Sequence, residues 1–199
     1  MDKRLNRNSD PGQTPLEDIS GLIPGHISTR EALNRAEFDN ITRAHTRYFL
    51  GRKAASKKSL NVEGLLKLHA EMFGQVWQWA GKIRTRELSL GRPPAKIGAD
   101  LHELVYDLHR WEKEKMDPLE IAVRLHHRLV WIHPFAGGNG RWARTAANIY
   151  LAKNSLELIQ WPADQMTAKS KLRKEYIAAL RKADGGDFSA LLRLHRLHR

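Results

Sequence analysis

The 199-residue sequence contains no cysteine. That absence excludes disulfides, a thiolate metal site and a cysteine nucleophile together. No apolar run approaches ~18 residues, so a membrane-spanning helix is not expected. Internal repeats and low-complexity tracts are also missing. The polar, charged beginning carries no recognisable secretory leader. Acidic residues are the minority, 22 against 34 Lys and Arg, which leaves a formal charge of +12. A surplus of that size suits polyanions: a nucleotide, a nucleic acid or an acidic protein surface. Basic residues also solvate exposed faces, so charge alone does not argue for a nucleic-acid partner. A soluble cytoplasmic protein of bacterial type, with no membrane partner, is the expectation.

The length suits one domain with a core that needs no staples. Residues 1–27 are turn-rich, with Asp10-Pro11-Gly12, Pro15 and Pro24-Gly25, and read as an extended arm before a domain over 28–199. Ser28-Thr29-Arg30-Glu31 is a capping box that opens a helix near 29, running to about 50. Leu65, Leu68, His69 and Met72 recur at helical spacing, so a second helix is predicted over about 62–74. The stretch 83–97 alternates Arg84, Arg86, Leu88 and Leu90 before a Gly91-Arg92-Pro93-Pro94 turn, and reads as a short hairpin. Further helices are predicted over about 98–115, 118–132, 139–153, 165–183 and 187–197. The fold class is therefore all-α with one small β-hairpin.

Chemistry concentrates in the run His133-Pro134-Phe135-Ala136-Gly137-Gly138-Asn139-Gly140-Arg141-Trp142-Ala143-Arg144. Three glycines in four residues let backbone N–H groups crowd an anion without Cβ obstruction. The following segment reads as a helix, so phosphates would meet its positive end. Arg141 and Arg144 are three apart, a spacing that puts both on one helix face. His133 is the group able to take a proton near neutral pH. The run thus holds what is needed to keep a polyphosphate beside a proton acceptor.

This run resembles the signature of the Fic (Fido) family, His-x-Phe-x-(Asp/Glu)-Gly-Asn-Gly-(Lys/Arg)-x-x-Arg. It departs at one defined position: Gly137 stands where the family has an acidic residue. The resemblance extends to FGQVWQWAGKIR, Phe73 through Arg84, and to DPGQTPLEDISGLIPGHISTREALNRAEFDNI near the N-terminus. Those stretches resemble the subgroup known as mobile mystery protein B. The resemblance implies a helical bundle with a hairpin flap. It implies transfer of AMP from ATP to a Ser, Thr or Tyr hydroxyl of a target protein. In that reading His133 is the general base. Gly138, Asn139 and Gly140 form the anion hole, with an added contact from the Asn139 side chain. Arg141 addresses the β-phosphate and Arg144 the terminal one. The flap, with Arg84, Arg86 and Arg92, would hold the target by strand addition.

Mg²⁺ is expected with the nucleotide, but Gly137 offers it no side-chain oxygen, so no protein metal ligand is assigned. A weak or inactive nucleotide-binding module, or a Fic enzyme using another phosphate-containing donor, stays open beside AMP transfer. A basic nucleic-acid-binding protein is the alternative from another class. Many Fic proteins are silenced by a (Ser/Thr)-x-x-x-Glu-(Gly/Asn) helix. Ser59-Leu60-Asn61-Val62-Glu63-Gly64 fits by coincidence, at the start of a core helix, and Asp39-Asn40 is only a shorter echo. A separate inhibitory partner stays open. His69, His126 and His127 are read as structural, because adjacent histidines on a helix point apart. His195-Arg196-Leu197-His198-Arg199 reads as a frayed, solvated end.

Overall fold

The computed structural model describes residues 19–50, 58–162 and 170–199. Within them the chain forms seven α-helices: α1 (Arg30–Phe49), α2 (Val62–Phe73), α3 (Pro94–Lys113), α4 (Pro118–Ile132), α5 (Asn139–Lys153), α6 (Lys171–Asp184) and α7 (Ser189–Leu197). Local chemistry sets most of their starts. Asn61 caps α2 by accepting from the Gly64 N–H at 2.8 Å, and Asp117 caps α4 by accepting from the Glu120 N–H at 3.0 Å. α1 is capped by Thr29, which accepts from Ala32, one residue later than the capping box predicts.

The helix α4 is the central element. Leu125, Leu129 and Ile132 are fully buried along it, and it packs against α3, α5, α6 and α7. α1 and α2 pack against each other and against α5. Phe73, Phe135 and Trp142 are fully buried in the main core, where the indole N–H of Trp142 donates to the Leu65 carbonyl at 2.9 Å. A satellite cluster of Val123, Tyr176, Ala179, Ala183, Leu191 and Leu194 holds the α6–α7 hairpin on α4. No helix of the described residues is long and apolar enough to cross a membrane.

Two expectations are corrected. The stretch 83–97 forms no hairpin. The single β-bridge among the described residues joins Leu22 to Trp77. Pro93 and Pro94 open α3, four residues earlier than predicted, because proline is suited to a helix's first turn. The preceding segment pairs with the loop after α4 instead of with itself: the Arg84 N–H donates to Pro134 O at 2.9 Å, and the Arg92 N–H to Ile132 O at 3.1 Å. The C-terminal end is not solvated throughout either. His195 is fully buried on the same face of α7 as Leu191 and Leu194, so amphipathic register overrides the tendency of chain ends to fray. The start of the predicted helix over 165–183 falls partly outside the described residues.

Buried histidines give the fold a pH dependence. Burial pushes His69 down to about 3 and His195 to about 4, and His126 well below its ordinary value of 6.5. In the unfolded chain these rings take protons below about 6.5, whereas the folded protein refuses them. Stability is therefore complete above that value and falls as the pH drops from there towards the folded values. Each ring contributes up to about 1.4 kcal/mol per pH unit. Thermal melts should show the midpoint falling by several degrees between about pH 7 and about pH 5. A midpoint that stays level over that range would show that the rings protonate without unfolding the core.

Candidate active site

The loop from His133 to Gly138 joins α4 to α5 and is closed by side chains on both sides. His133 ends α4 in the left-handed region, φ 54 and ψ 59, which turns the chain sharply. Asn139 then bridges back: its side-chain oxygen accepts from the Phe135 N–H at 3.0 Å, and its amide donates to Phe135 O at 2.8 Å. Each half of that amide makes one bond to the loop, so the Asn139 side chain has a structural role here. Phe135 is fully buried, as an anchor should be.

His69 clamps the same loop from α2. Gly81 N–H donates to its Nδ1 at 3.0 Å, so the proton sits on Nε2, which donates to Gly137 O at 3.0 Å. The ring is stacked on Phe135 at 3.6 Å between centroids and on Phe73 at 4.6 Å. Gly138 supplies the left-handed turn at φ +74 and lies so close to Phe73 that an added Cβ would come within 2.5 Å. No side chain caps α5, and a Cβ added at Gly140 would meet nothing within 4 Å. The positive end of α5 is therefore not occupied by a capping side chain, and the backbone at Gly140 is sterically open.

His133 stands at the edge of that space. Its Nδ1 donates to Val130 O at 3.3 Å, which leaves the lone pair on Nε2. Burial lowers its pKa to about 4, the carbonyl bond offsets part of this, and the Arg84 charge lowers it further. The ring is neutral at physiological pH and chemically a base. Gly91 packs against it, since a Cβ there would come within 2.3 Å of the His133 Cβ.

The two arginines of the motif diverge rather than share one task. Arg141 pairs with Glu37 of α1 at 2.7 Å and lies over the Phe73 ring. Glu37 is itself buried and accepts from the Trp77 indole N–H at 2.7 Å. Arg144 points towards α6, its Cζ 5.8 Å from the Tyr176 ring centre and 5.7 Å from that of Trp161. No carboxylate among the described residues pairs with it. The Ser59–Gly64 segment caps α2 through Asn61, and Glu63 forms no ion pair with Arg144.

Of the three flap arginines, Arg86 is exposed, but Arg84 and Arg92 are structural. The Arg84 guanidinium donates to His133 O, Arg86 O and Arg92 O at 2.9, 2.8 and 2.6 Å. Arg92 pairs with Asp100 at 2.8 Å and lies over Trp131. Their expected place on the target surface is corrected accordingly: buried carbonyls need donors, and these two arginines supply them or brace the segment that does.

The loop does not fit a protein-held Mg²⁺. Gly137 has no side-chain oxygen, its carbonyl is occupied by His69, and no group of three His, Asp or Glu among the described residues could hold an ion. The Trp79 ring covers this position, 3.2 Å from where a Gly137 Cβ would stand. Glu37 and the His69 clamp were missed as site residues in the sequence. The available signal for Glu37 was its place on the buried stripe Leu33, Glu37, Asn40, Ala44, Tyr48, where a charge must have a partner.

The adjacent glycines should respond differently to substitution. Gly137 is not in the left-handed region, so Gly137→Ala asks only that Trp79 give slightly and should change stability by less than about 1 kcal/mol. Gly138→Ala combines a left-handed backbone with a collision against Phe73 and should cost about 2–4 kcal/mol. Urea unfolding of the two variants checks this, and equal losses would contradict it.

Residues 59–151 match the Fic/DOC family. Over 194 residues the chain is 29% identical to protein adenylyltransferase fic-1 of Caenorhabditis briggsae, covering 94% of this chain and 36% of that protein. It thus spans about a third of the length of that relative. The solved structure of a Fic-1 fragment from Caenorhabditis elegans superposes with a TM-score of 0.67 at 27% identity, covering 89% of this chain and 51% of that one. BepC of Bartonella tribocorum, solved with AMPPNP bound, shares the fold at 15% identity with a TM-score of 0.67, covering 91% of this chain and 96% of that one. The motif closed by Asn139 and set between α4 and α5 thus lies inside the segment that matches the Fic/DOC family, in a fold shared with Fic-1.

Proposed function

We propose that this chain transfers AMP from ATP to a Ser, Thr or Tyr hydroxyl of a target protein in the cytoplasm. The observation that carries the reading is a neutral His133, with its lone pair on Nε2, beside the uncapped N-terminus of α5. In the proposed step Nε2 takes the hydroxyl proton as the target oxygen attacks the α-phosphorus. A new oxygen–phosphorus bond forms, the bond to the bridging oxygen of the β-phosphate breaks, and pyrophosphate leaves. Charge shifts onto the phosphate oxygens, where fixed backbone N–H groups of Gly138, Asn139 and Gly140 lower the barrier without reorganising. The relative named protein adenylyltransferase supports the choice of AMP.

Arg144 reads the outer phosphates in this proposal. Arg141, tied to Glu37, has a partly exposed guanidinium that addresses the β-phosphate from the other side. Arg86 is the flap residue left exposed for an acidic target. A partner that inhibits transfer would do so by offering Arg144 the carboxylate it lacks among the described residues. A second reading, a nucleotide-binding module with weak transfer, is favoured by one observation: the loop offers no carboxylate where Gly137 stands.

The direct test is incubation with labelled ATP and a cell lysate, reading the mass added to any modified protein. His133→Ala should abolish transfer while ATP affinity stays within severalfold. Transfer at the wild-type rate in that variant would remove His133 as the base. Charge-assisted contacts of this kind contribute about 1.5–3 kcal/mol, so Arg144→Ala should weaken ATP about tenfold or more and AMP far less. Equal weakening of the two nucleotides would mean that Arg144 does not read the outer phosphates.

A further inference from the structure

Three helices converge beside Arg144 through a chain of hydrogen bonds whose directions are forced one after another. His195 Nδ1 lies 2.8 Å from Leu191 O, and a carbonyl can only accept. The His195 proton is therefore on Nδ1 and its Nε2 carries the lone pair. His126 Nδ1 lies 3.0 Å from that Nε2 and must donate to it. His126 Nε2 is then the acceptor, 2.9 Å from the Tyr176 hydroxyl, whose one proton points at it. The phenol oxygen has only lone pairs left, and the Arg144 guanidinium lies beside it, its Cζ 5.8 Å from the centre of the phenol ring. The order runs Tyr176 to His126 to His195 to the α7 backbone, and its Tyr176 end lies beside Arg144. Both imidazoles are neutral, which the burial of this region requires.

The packing around the chain is equally specific. Trp161 presents its ring edge-on to His126, His195 and Tyr176, at centroid distances of 5.9, 5.1 and 5.5 Å. Tyr176 stacks on His126 at 5.6 Å. Arg144 lies 5.7 Å from the Trp161 ring and 5.8 Å from the Tyr176 ring. The contrast with Arg141 gives the arrangement its meaning. Glu37 holds Arg141 by neutralising it, whereas Arg144 is flanked by the neutral groups Tyr176 and Trp161. A phenol fixes the direction of a guanidinium and leaves its full charge for another anion. The long side chain would otherwise lose rotamer freedom on meeting a phosphate, a cost reduced here by its packing against the two rings.

We propose that Tyr176, backed by His126 and His195, is a positioning residue that aims Arg144 at the outer phosphates of the nucleotide. The α6–α7 hairpin thereby takes part in donor recognition from outside the motif. This rests on the reading of Arg144 under the proposed function, and the experiment separates the two.

The test is a double-mutant cycle read by calorimetry with ATP and with AMP. Tyr176→Phe keeps the ring and removes the oxygen. It should weaken ATP about 3–10-fold and leave AMP within about twofold. In an Arg144→Ala background the same change should alter ATP affinity by less than about twofold, because its target is gone. If Arg144→Ala weakens ATP and Tyr176→Phe does not, or if the two effects multiply, the positioning role is overturned. If Arg144→Ala itself leaves ATP unchanged, the nucleotide reading of Arg144 has failed, and this role falls with it. A purely structural role would lower ATP and AMP affinity together. His126→Gln supplies the second variant: it retains an acceptor for the phenol and disturbs only the backing. It should show the same preference for ATP loss at smaller size, and an equal effect on both nucleotides counts against the proposal.

Discussion

The site depends on one side chain satisfying one residue's backbone twice. By accepting from the Phe135 N–H and donating to its carbonyl, Asn139 closes a ring that begins where α4 ends and finishes where α5 begins. A loop this short between two packed helices would otherwise bury unpaired amide groups. The ring fixes the distance between His133 and the first N–H groups of α5. It frees Gly138 to make the left-handed turn and keeps the helix end uncapped. His69 then pins the outer side of the ring, so loop geometry is set by two neutral hydrogen-bonding side chains. A charged clamp in the same place would compete with any anion that approaches.

Charge is placed with similar economy around the arginines. Buried Glu37 holds Arg141 and is itself held by Trp77 of the turn after α2, which binds α1 to the motif. Arg144 is steered without a counter-charge. One arginine therefore belongs as much to the fold as to the site, while the other keeps its field directed outward. Burial lowers the proton affinity of Arg144, and the nearby Arg141 charge lowers it further.

Sequence reading recovered the parts governed by local rules. The apolar period marks α2, the helix expected over 118–132 is α4, and the glycine run sits at the opening of α5. It failed where a partner comes from far along the chain. The alternation of Arg84, Arg86, Leu88 and Leu90 looks like a strand, yet the two ends of the segment, Arg84 and Arg92, pair with Pro134 and Ile132, far along the chain. Arg141 and Arg144 look like neighbours on one face, but Glu37 draws one and Tyr176 the other. His195 reads as part of a loose end because its position hides the register that buries it among Leu191, Leu194 and His126. Periodicity reports which face is buried and is silent about which distant group waits there.

Arg84 carries a consequence beyond stability. Its guanidinium joins His133 to both ends of the segment 84–92, and the backbone bonds of Arg84 and Arg92 reinforce that join. The segment and the histidine thus move as one lever rather than as a hinged lid over a fixed centre. Any change that re-shapes the segment therefore pulls on the His133 backbone as well. Shape of the segment and setting of the imidazole are mechanically linked in this chain, so neither can be altered alone at these positions.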